Sequence, residues 1–69
     1  MNIQISIAAA RVNAKMTQED VAKALKVSKQ TVCNWENGKS FPSIIQATQM
    51  SELFNFPLDN IIFLPSESN

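Results

Sequence analysis

The stretch that decides the fold is residues 17–38, TQEDVAKALKVSKQTVCNWENG. Thr17 opens it with a hydroxyl suited to cap an orphan amide of a first helical turn. Glu19 and Asp20 follow within that turn, where carboxylates suit the positive end of the helix dipole. Val21, Ala22 and Leu25 then recur at helical spacing. Ser28 is a second capping residue, so another helix starts almost at once and runs through Val32 and Trp35. Asn37-Gly38 ends it, because glycine supplies the left-handed backbone of a C-terminal cap. Two short helices joined by so tight a turn form a helix-turn-helix spanning 17–37.

Outward from this stretch, the chain divides into further short segments. Ile3 and Ile5 alternate with polar residues, a strand-like pattern. Ser6 is placed to cap a first helix through Ala8, Ala9, Ala10, Arg11 and Val12, an alanine-rich run that favours helix. Phe41-Pro42 is a connector. Ser43 with Gln46 is a capping-box pattern for a fourth helix, whose buried face is expected to hold Ile44, Ala47, Met50, Ser51 and Phe54. Asn55 can end it in a left-handed conformation. Pro57 then starts a short fifth helix with Leu58, Ile61 and Ile62. Residues 65–69 form a polar, frayed tail.

At 69 residues the chain is expected to be one domain, 1–69, of a size that is marginally stable alone. Hydrophobic residues at 45% and charged ones at 17% mark it as globular rather than disordered. No apolar run nears the ~20 residues that span a bilayer, and no signal peptide is evident. The single cysteine, Cys33, has no intramolecular partner; these features suit the cytoplasm. Net charge is zero, yet all six basic residues lie before residue 40, opposed there only by Glu19, Asp20 and Glu36. That polarity is either scattered solvated charge or a basic face turned to phosphates.

The third helix carries the candidate function. With Val32 facing the core, Trp35 falls within about 60° of it, and Gln30, Asn34 and Asn37 lie opposite, at about 140° to 200°. Lys29, Thr31 and Cys33 flank this amide face. Glutamine or asparagine can pair twice with adenine in the major groove, and lysine can donate to guanine. The alternative for such residue types is an ordinary solvated face; the helix-turn-helix spacing aims it at a groove instead. Gln18 opens the second helix, where free amides and its own side chain suit a phosphate. Lys39 and Ser40 can reach a phosphate on the opposite flank. Trp35 reads as core, and Cys33 as a small filler. Glu36 sits at the unfavourable end of the helix dipole and needs a partner, for which Arg11 is the candidate.

The run Ile7…Ala10-Arg11…Met16-Thr17-Gln18…Val21-Ala22…Leu25…Val27-Ser28…Thr31-Val32…Trp35-Glu36-Asn37-Gly38-Lys39…Pro42-Ser43 resembles the lambda-repressor-like, Cro/repressor-type (Xre-type) helix-turn-helix family. The resemblance covers roughly residues 5–62. It implies an all-α, compact five-helix domain, often dimeric, found in phage, plasmid and bacterial regulators. By position it implies base reading by Lys29, Gln30 and Asn34, phosphate contact by Gln18, and a place near the DNA backbone for Thr31, Asn37 and Lys39; Ser28 and Ser40, from their own positions at the two ends of the third helix, complete the expected phosphate-contacting set. Arg11 and Glu36 match the family's structural ion pair. Lys26 and Lys15 depart from it, standing where glycine or asparagine is usual, and Pro57 replaces a serine cap. Some small members add a two-stranded β-ribbon between the chain ends, which Ile3–Ile5 and Ile61–Leu64 could form.

Function follows as an expectation: a sequence-specific double-stranded DNA-binding regulator, most naturally a repressor. The apolar run Ile61, Ile62, Phe63, Leu64 suggests a homodimer, with Leu58, Ile61, Ile62 and Phe63 at its interface. A two-fold dimer would bind an inverted repeat with half-sites about 34 Å apart. The competing reading is a protein-interaction module, of antitoxin or anti-repressor type, on the same scaffold. Catalysis is disfavoured: the chain has no histidine, no tyrosine and no glycine-rich loop. No residues have metal-ligand spacing, and no cofactor, membrane or small-molecule partner is expected.

Overall fold

The computed structural model describes residues 4–62. A two-residue strand β1 (Ile5–Ser6) leads into α1 (Ile7–Asn13), α2 (Gln18–Leu25), α3 (Lys29–Asn37) and α4 (Ile44–Phe54). A single 3-10 turn (Leu58–Asn60) and a second short strand β2 (Ile61–Ile62) follow.

Each α-helix starts on a hydroxyl. Ser6, Thr17, Ser28 and Ser43 accept from the backbone N–H three residues on, at 3.0–3.1 Å. Two of these starts are reciprocal: Asp20 accepts from the Thr17 N–H, and Gln46 from the Ser43 N–H. Each satisfies two amides that the first turn cannot bond internally.

The four helices also end alike. Lys15, Lys26, Gly38 and Asn55 adopt φ of 61°, 60°, 76° and 55°. The following N–H reaches back to the carbonyl five residues earlier, Met16 to Arg11, Val27 to Ala22, Lys39 to Asn34 and Phe56 to Ser51. In three cases that following residue, Met16, Val27 or Phe56, packs its apolar side chain on the core. This apolar anchor and the recaptured carbonyls offset the left-handed conformation of a lysine, which costs about 1–2 kcal/mol. Chain reversal is therefore secured with one glycine in the whole sequence.

The core joins the four α-helices and β2. Ile7 and Ala10 of α1, Val21, Ala22 and Leu25 of α2, Val32 and Trp35 of α3, Met50 and Phe54 of α4, and Ile61 of β2 form one buried cluster. Met50, Val21 and Val32 are sealed from solvent at its centre. Three residues, Lys26, Val27 and Ser28, join α2 to α3, which pack closely on each other.

Three expectations need correction. Instead of a fifth α-helix there is one 3-10 turn. Pro57 offers no side-chain cap, and only three residues separate it from the extended backbone of Ile61, whose branched side chain suits a strand. Ile61, expected on an outer apolar surface, is 6% exposed, drawn into the core as β2 pairs in parallel with β1, Ile5 opposite Ile61 and Ser6 opposite Ile62. Ile44, assigned to the buried face of α4, is exposed, because α4 begins beyond the edge of the core. Leu58 is half-buried. Ile3, Phe63 and Leu64, and the tail 65–69, lie outside the described residues.

If left-handed strain is stored at the α2–α3 turn, Lys26→Gly should stabilise the chain by up to about 1 kcal/mol, the relief being partly cancelled by glycine's backbone entropy. A rise in the urea midpoint with an unchanged slope is the expected result; a fall would show that the lysine side chain is itself required.

Candidate nucleic-acid interface

The interface is built on a largely buried ion pair. Arg11 of α1 donates from Nε to Glu36 Oε2 at 2.7 Å and from Nη2 to Oε1 at 3.5 Å. Its Nη1 donates to the Met16 carbonyl at 2.8 Å. The side chains are 16% and 8% exposed, so α1, the α1–α2 turn and α3 are clamped at one point away from bulk water. Gln18 adds a fourth contact, donating from Nε2 to Glu36 Oε1 at 2.9 Å. Glu36 thus finds three N–H donors, which offset its position near the negative end of α3.

The clamp fixes how α3 is turned. Val32 and Trp35 face inward, and the opposite face carries Gln30, Asn34 and Asn37. Gln30 Nε2 donates to Asn34 Oδ1 at 3.0 Å, one helical turn apart. This bond does not use the Gln30 carbonyl or the Asn34 amine, an acceptor and a donor. Asn37 donates to Cys33 Sγ at 3.4 Å. Lys29 is exposed at the start of α3; a shallow cleft lined by Arg11, Thr17, Gln18, Glu19 and Lys29 links it to the start of α2. Lys39 and Ser40 are exposed just past the other end. The face is therefore neutral in the middle and positive at both ends.

Not every residue singled out in the sequence stands free. The Gln18 side chain is half-buried on Glu36, so it has one N–H and its carbonyl left for an external partner. Ser28 Oγ accepts from the Thr31 N–H and also pairs with Thr31 Oγ1 at 2.9 Å, so both hydroxyls serve the cap. Lys39 and Ser40 are exposed just beyond α3, three and four residues after the Glu36 that Gln18 contacts. Sequence reasoning missed two features. The Asp20 half of the capping box had a visible signal, an acidic residue three positions after Thr17. The Gln18–Glu36 bond, linking residues 18 apart, had none.

The Thr17 backbone N–H, and secondarily the Thr17 hydroxyl, hold the Asp20 carboxyl below the ordinary aspartate value, with a smaller contribution from Lys23. Among the described residues no cluster of His, Cys, Asp and Glu could hold a metal ion, and no helix is long and apolar enough to cross a membrane.

The helix-turn-helix family pattern matches residues 7–61, nearly all of the described fold. The chain belongs to the helix-turn-helix family. A transcriptional regulator of this type from Methanocaldococcus jannaschii is 41% identical over 46 residues, covering 67% of this chain and 70% of that protein. One from Archaeoglobus fulgidus is 33% identical over 57 residues, covering 83% of this chain and 80% of its own. The transcriptional activator BcrR of Enterococcus faecalis is 31% identical over 52 residues, 75% of this chain. That match covers 26% of BcrR, so this chain corresponds to about a quarter of the activator. These relatives make this helix-turn-helix protein a member of a group of DNA-binding transcriptional regulators.

Two measurements follow from the clamp and the cap. Arg11→Ala leaves Glu36 buried without its cation and should cost about 3 kcal/mol, whereas Glu36→Gln, which leaves no uncompensated anion, should cost less. Equal losses in chemical denaturation would contradict this. For Asp20, the proton binds the unfolded chain first because the folded carboxyl is held lower. Its contribution is complete above the ordinary aspartate value and is lost as pH falls through the lowered folded value. The stability gap between the wild type and Asp20→Ala should therefore narrow below about pH 4. A gap independent of pH would show that the charge plays no part.

Proposed function

We propose that this chain is a sequence-specific DNA-binding regulator that lays α3 in the major groove and acts as a repressor. The observation that carries the reading is the outward face of α3. Gln30 and Asn34 are linked by one hydrogen bond and keep a donor and an acceptor for base edges. A positive group stands at each end of that face. Uncharged amides give little non-specific attraction, so their value lies in discrimination, while Lys29 and Lys39 set register on phosphates.

In this reading Lys29, Gln30 and Asn34 read bases. Gln18, Ser28, Thr31, Asn37, Lys39 and Ser40 lie toward the phosphates, Gln18 through its spare N–H and the first-turn amides of α2. Repression needs nothing beyond occupancy: a protein seated across a promoter obstructs polymerase. Binding as a homodimer to an inverted repeat doubles the short sequence that one helix can specify. The place of action is the cytoplasm, beside the DNA. BcrR is described as an activator, so transcription from a promoter carrying the recovered site, with and without the protein, decides the sign.

Selection from a random duplex library, retested across a salt series, examines the DNA reading. Enrichment of a two-fold symmetric sequence is expected, with affinity falling steeply as salt rises. Gln30→Ala and Asn34→Ala should each cost about 1–3 kcal/mol at the selected site and relax base preference, with a non-additive double variant. Lys39→Ala should weaken all duplexes alike and lower the salt slope by about one. No enrichment even at low salt would instead favour a protein partner on the same scaffold.

A further inference from the structure

The sequence holds one glycine, Gly38, and it directly follows Asn37. Every other asparagine inside the chain precedes a residue with a side chain: Ile3, Ala14, Trp35, Phe56 or Ile61. An asparagine followed by glycine is the pair most prone to lose its side-chain amide. No Cβ then crowds the following backbone nitrogen as it closes on the carboxamide carbon.

The fold holds this pair back without sealing it. Asn37 is the last residue of α3 and is exposed; Gly38 is the left-handed cap, with φ 76° and ψ 14°. The Gly38 N–H donates to the Trp35 carbonyl at 3.3 Å, and the Lys39 and Ser40 N–H groups reach the Asn34 carbonyl at 2.9 and 3.4 Å. While these bonds last, the Gly38 nitrogen is tied into the helix end. The Asn37 amide is held by a 3.4 Å bond to Cys33 Sγ, a weak acceptor. Of the four helix endings, this is the one without an apolar anchor: Met16, Val27 and Phe56 pack on the core, whereas Lys39 is exposed. A segment with few buried apolar contacts and exposed backbone bonds is one that opens locally.

We propose that Asn37-Gly38 is a spontaneous deamidation site, gated by opening of the last turn of α3, whose conversion takes the chain out of the DNA-binding pool. The chemistry needs only water. The Gly38 nitrogen attacks Asn37 Cγ; a C–N bond forms and the Cγ–Nδ2 bond breaks. Ammonia leaves with the proton that the backbone nitrogen gives up. Water then opens the cyclic imide at either carbonyl, leaving aspartate or isoaspartate at position 37. Nothing is oxidised or reduced.

Both products oppose the local electrostatics. Either puts a negative charge at the C-terminal end of α3, where Glu36 already needs Arg11 and Gln18 as donors. Isoaspartate also lengthens the main chain by one carbon just before the cap. The Gly38, Lys39 and Ser40 N–H groups then lose register with the carbonyls they recapture. The loss of DNA binding rests on the reading proposed above, in which Asn37 lies toward a phosphate; the reaction itself does not. A bound duplex covers the site in that reading, so conversion falls on the free protein.

The test uses the full chain, held at mildly alkaline pH and followed by peptide-mapping mass spectrometry with isoaspartate-specific methyltransferase labelling. It should gain the mass of an amide-to-acid exchange at Asn37 before any other asparagine. Conversion should be about tenfold to a hundredfold slower in buffer than in unfolding guanidinium chloride, because one helix end must open first. It should quicken as pH rises, since the attacking nitrogen must shed its proton, and slow when the selected duplex is saturating. Asn37→Gln, whose ring would be one atom larger, should not convert. Asn37→Asp carries one product directly and should bind the duplex about fivefold more weakly at low salt, the difference shrinking as salt rises. Its circular-dichroism melting curve separates lost contact from lost fold. Equal rates in buffer and denaturant, or first conversion at another asparagine, overturn the inference, as does a folded chain that stays intact while the unfolded one converts. Unchanged duplex binding by Asn37→Asp overturns the consequence assigned to the reaction. A chain that converts as described but binds no duplex before ageing overturns the DNA reading alone.

Discussion

The structure depends on one interaction, the Arg11–Glu36 pair. Its members come from the first and third helices, and both are largely buried. The geometry makes the pair a clamp, since Arg11 also holds the Met16 carbonyl and Glu36 also holds Gln18. A helix of nine residues buried only on one stripe can roll. Pinning Glu36, one residue after Trp35, fixes the rotation of α3 about its axis. Rotation by a single residue position, about 100°, would carry Gln30 and Asn34 off the outward face. The ion pair is thus a stability element whose position decides which side chains are offered to a partner.

Around the clamp, the chain makes short helices hold without length. Helices of 7 to 11 residues are marginal as isolated segments. Here each begins on a hydroxyl cap and ends on a left-handed residue. The residue after the left-handed position carries an apolar anchor in three of the four endings, so each such turn is tied to the core. Lys15 and Lys26 are tolerated as non-glycine residues for that reason. The same device leaves the α2–α3 connection only three residues long, which sets how far the start of α2 stands from the reading face.

What was legible in the sequence was what is local. Thr17, Ser28 and Ser43 announce helix starts within three residues of the amides they cap, and Asn37-Gly38 announces an end. The outward position of Gln30, Asn34 and Asn37 follows from 3.6-residue periodicity once Val32 and Trp35 are known to face inward. The Arg11–Glu36 pair was suggested by a local defect, a carboxylate at the wrong end of a helix, and by the family resemblance. What was not legible depends on neighbours distant in sequence. Periodicity placed Ile44 on the inner side of α4 but could not tell that none of the described elements covers that end. Four consecutive apolar residues from Ile61 suggested an outer surface, yet Ile61 finds Ile5 and the core. Gln18 gave no sign that its amide would be spent on Glu36.

These features combine into one account: a clamp orients α3, the orientation exposes a linked amide pair, and, in the function proposed above, positive side chains at its two ends set it on a duplex. Its central claim is which face of the molecule meets DNA. Backbone amide shifts of the isotopically labelled full chain, followed as duplex DNA is titrated at low salt, test that claim most directly. The account predicts that the perturbed amides gather at Gln18, along residues 28–34, and at residues 37–40, while those of Leu53 to Asn60 stay in place. Perturbations centred on the end of α4 and the 3-10 turn, with α3 silent, would contradict it.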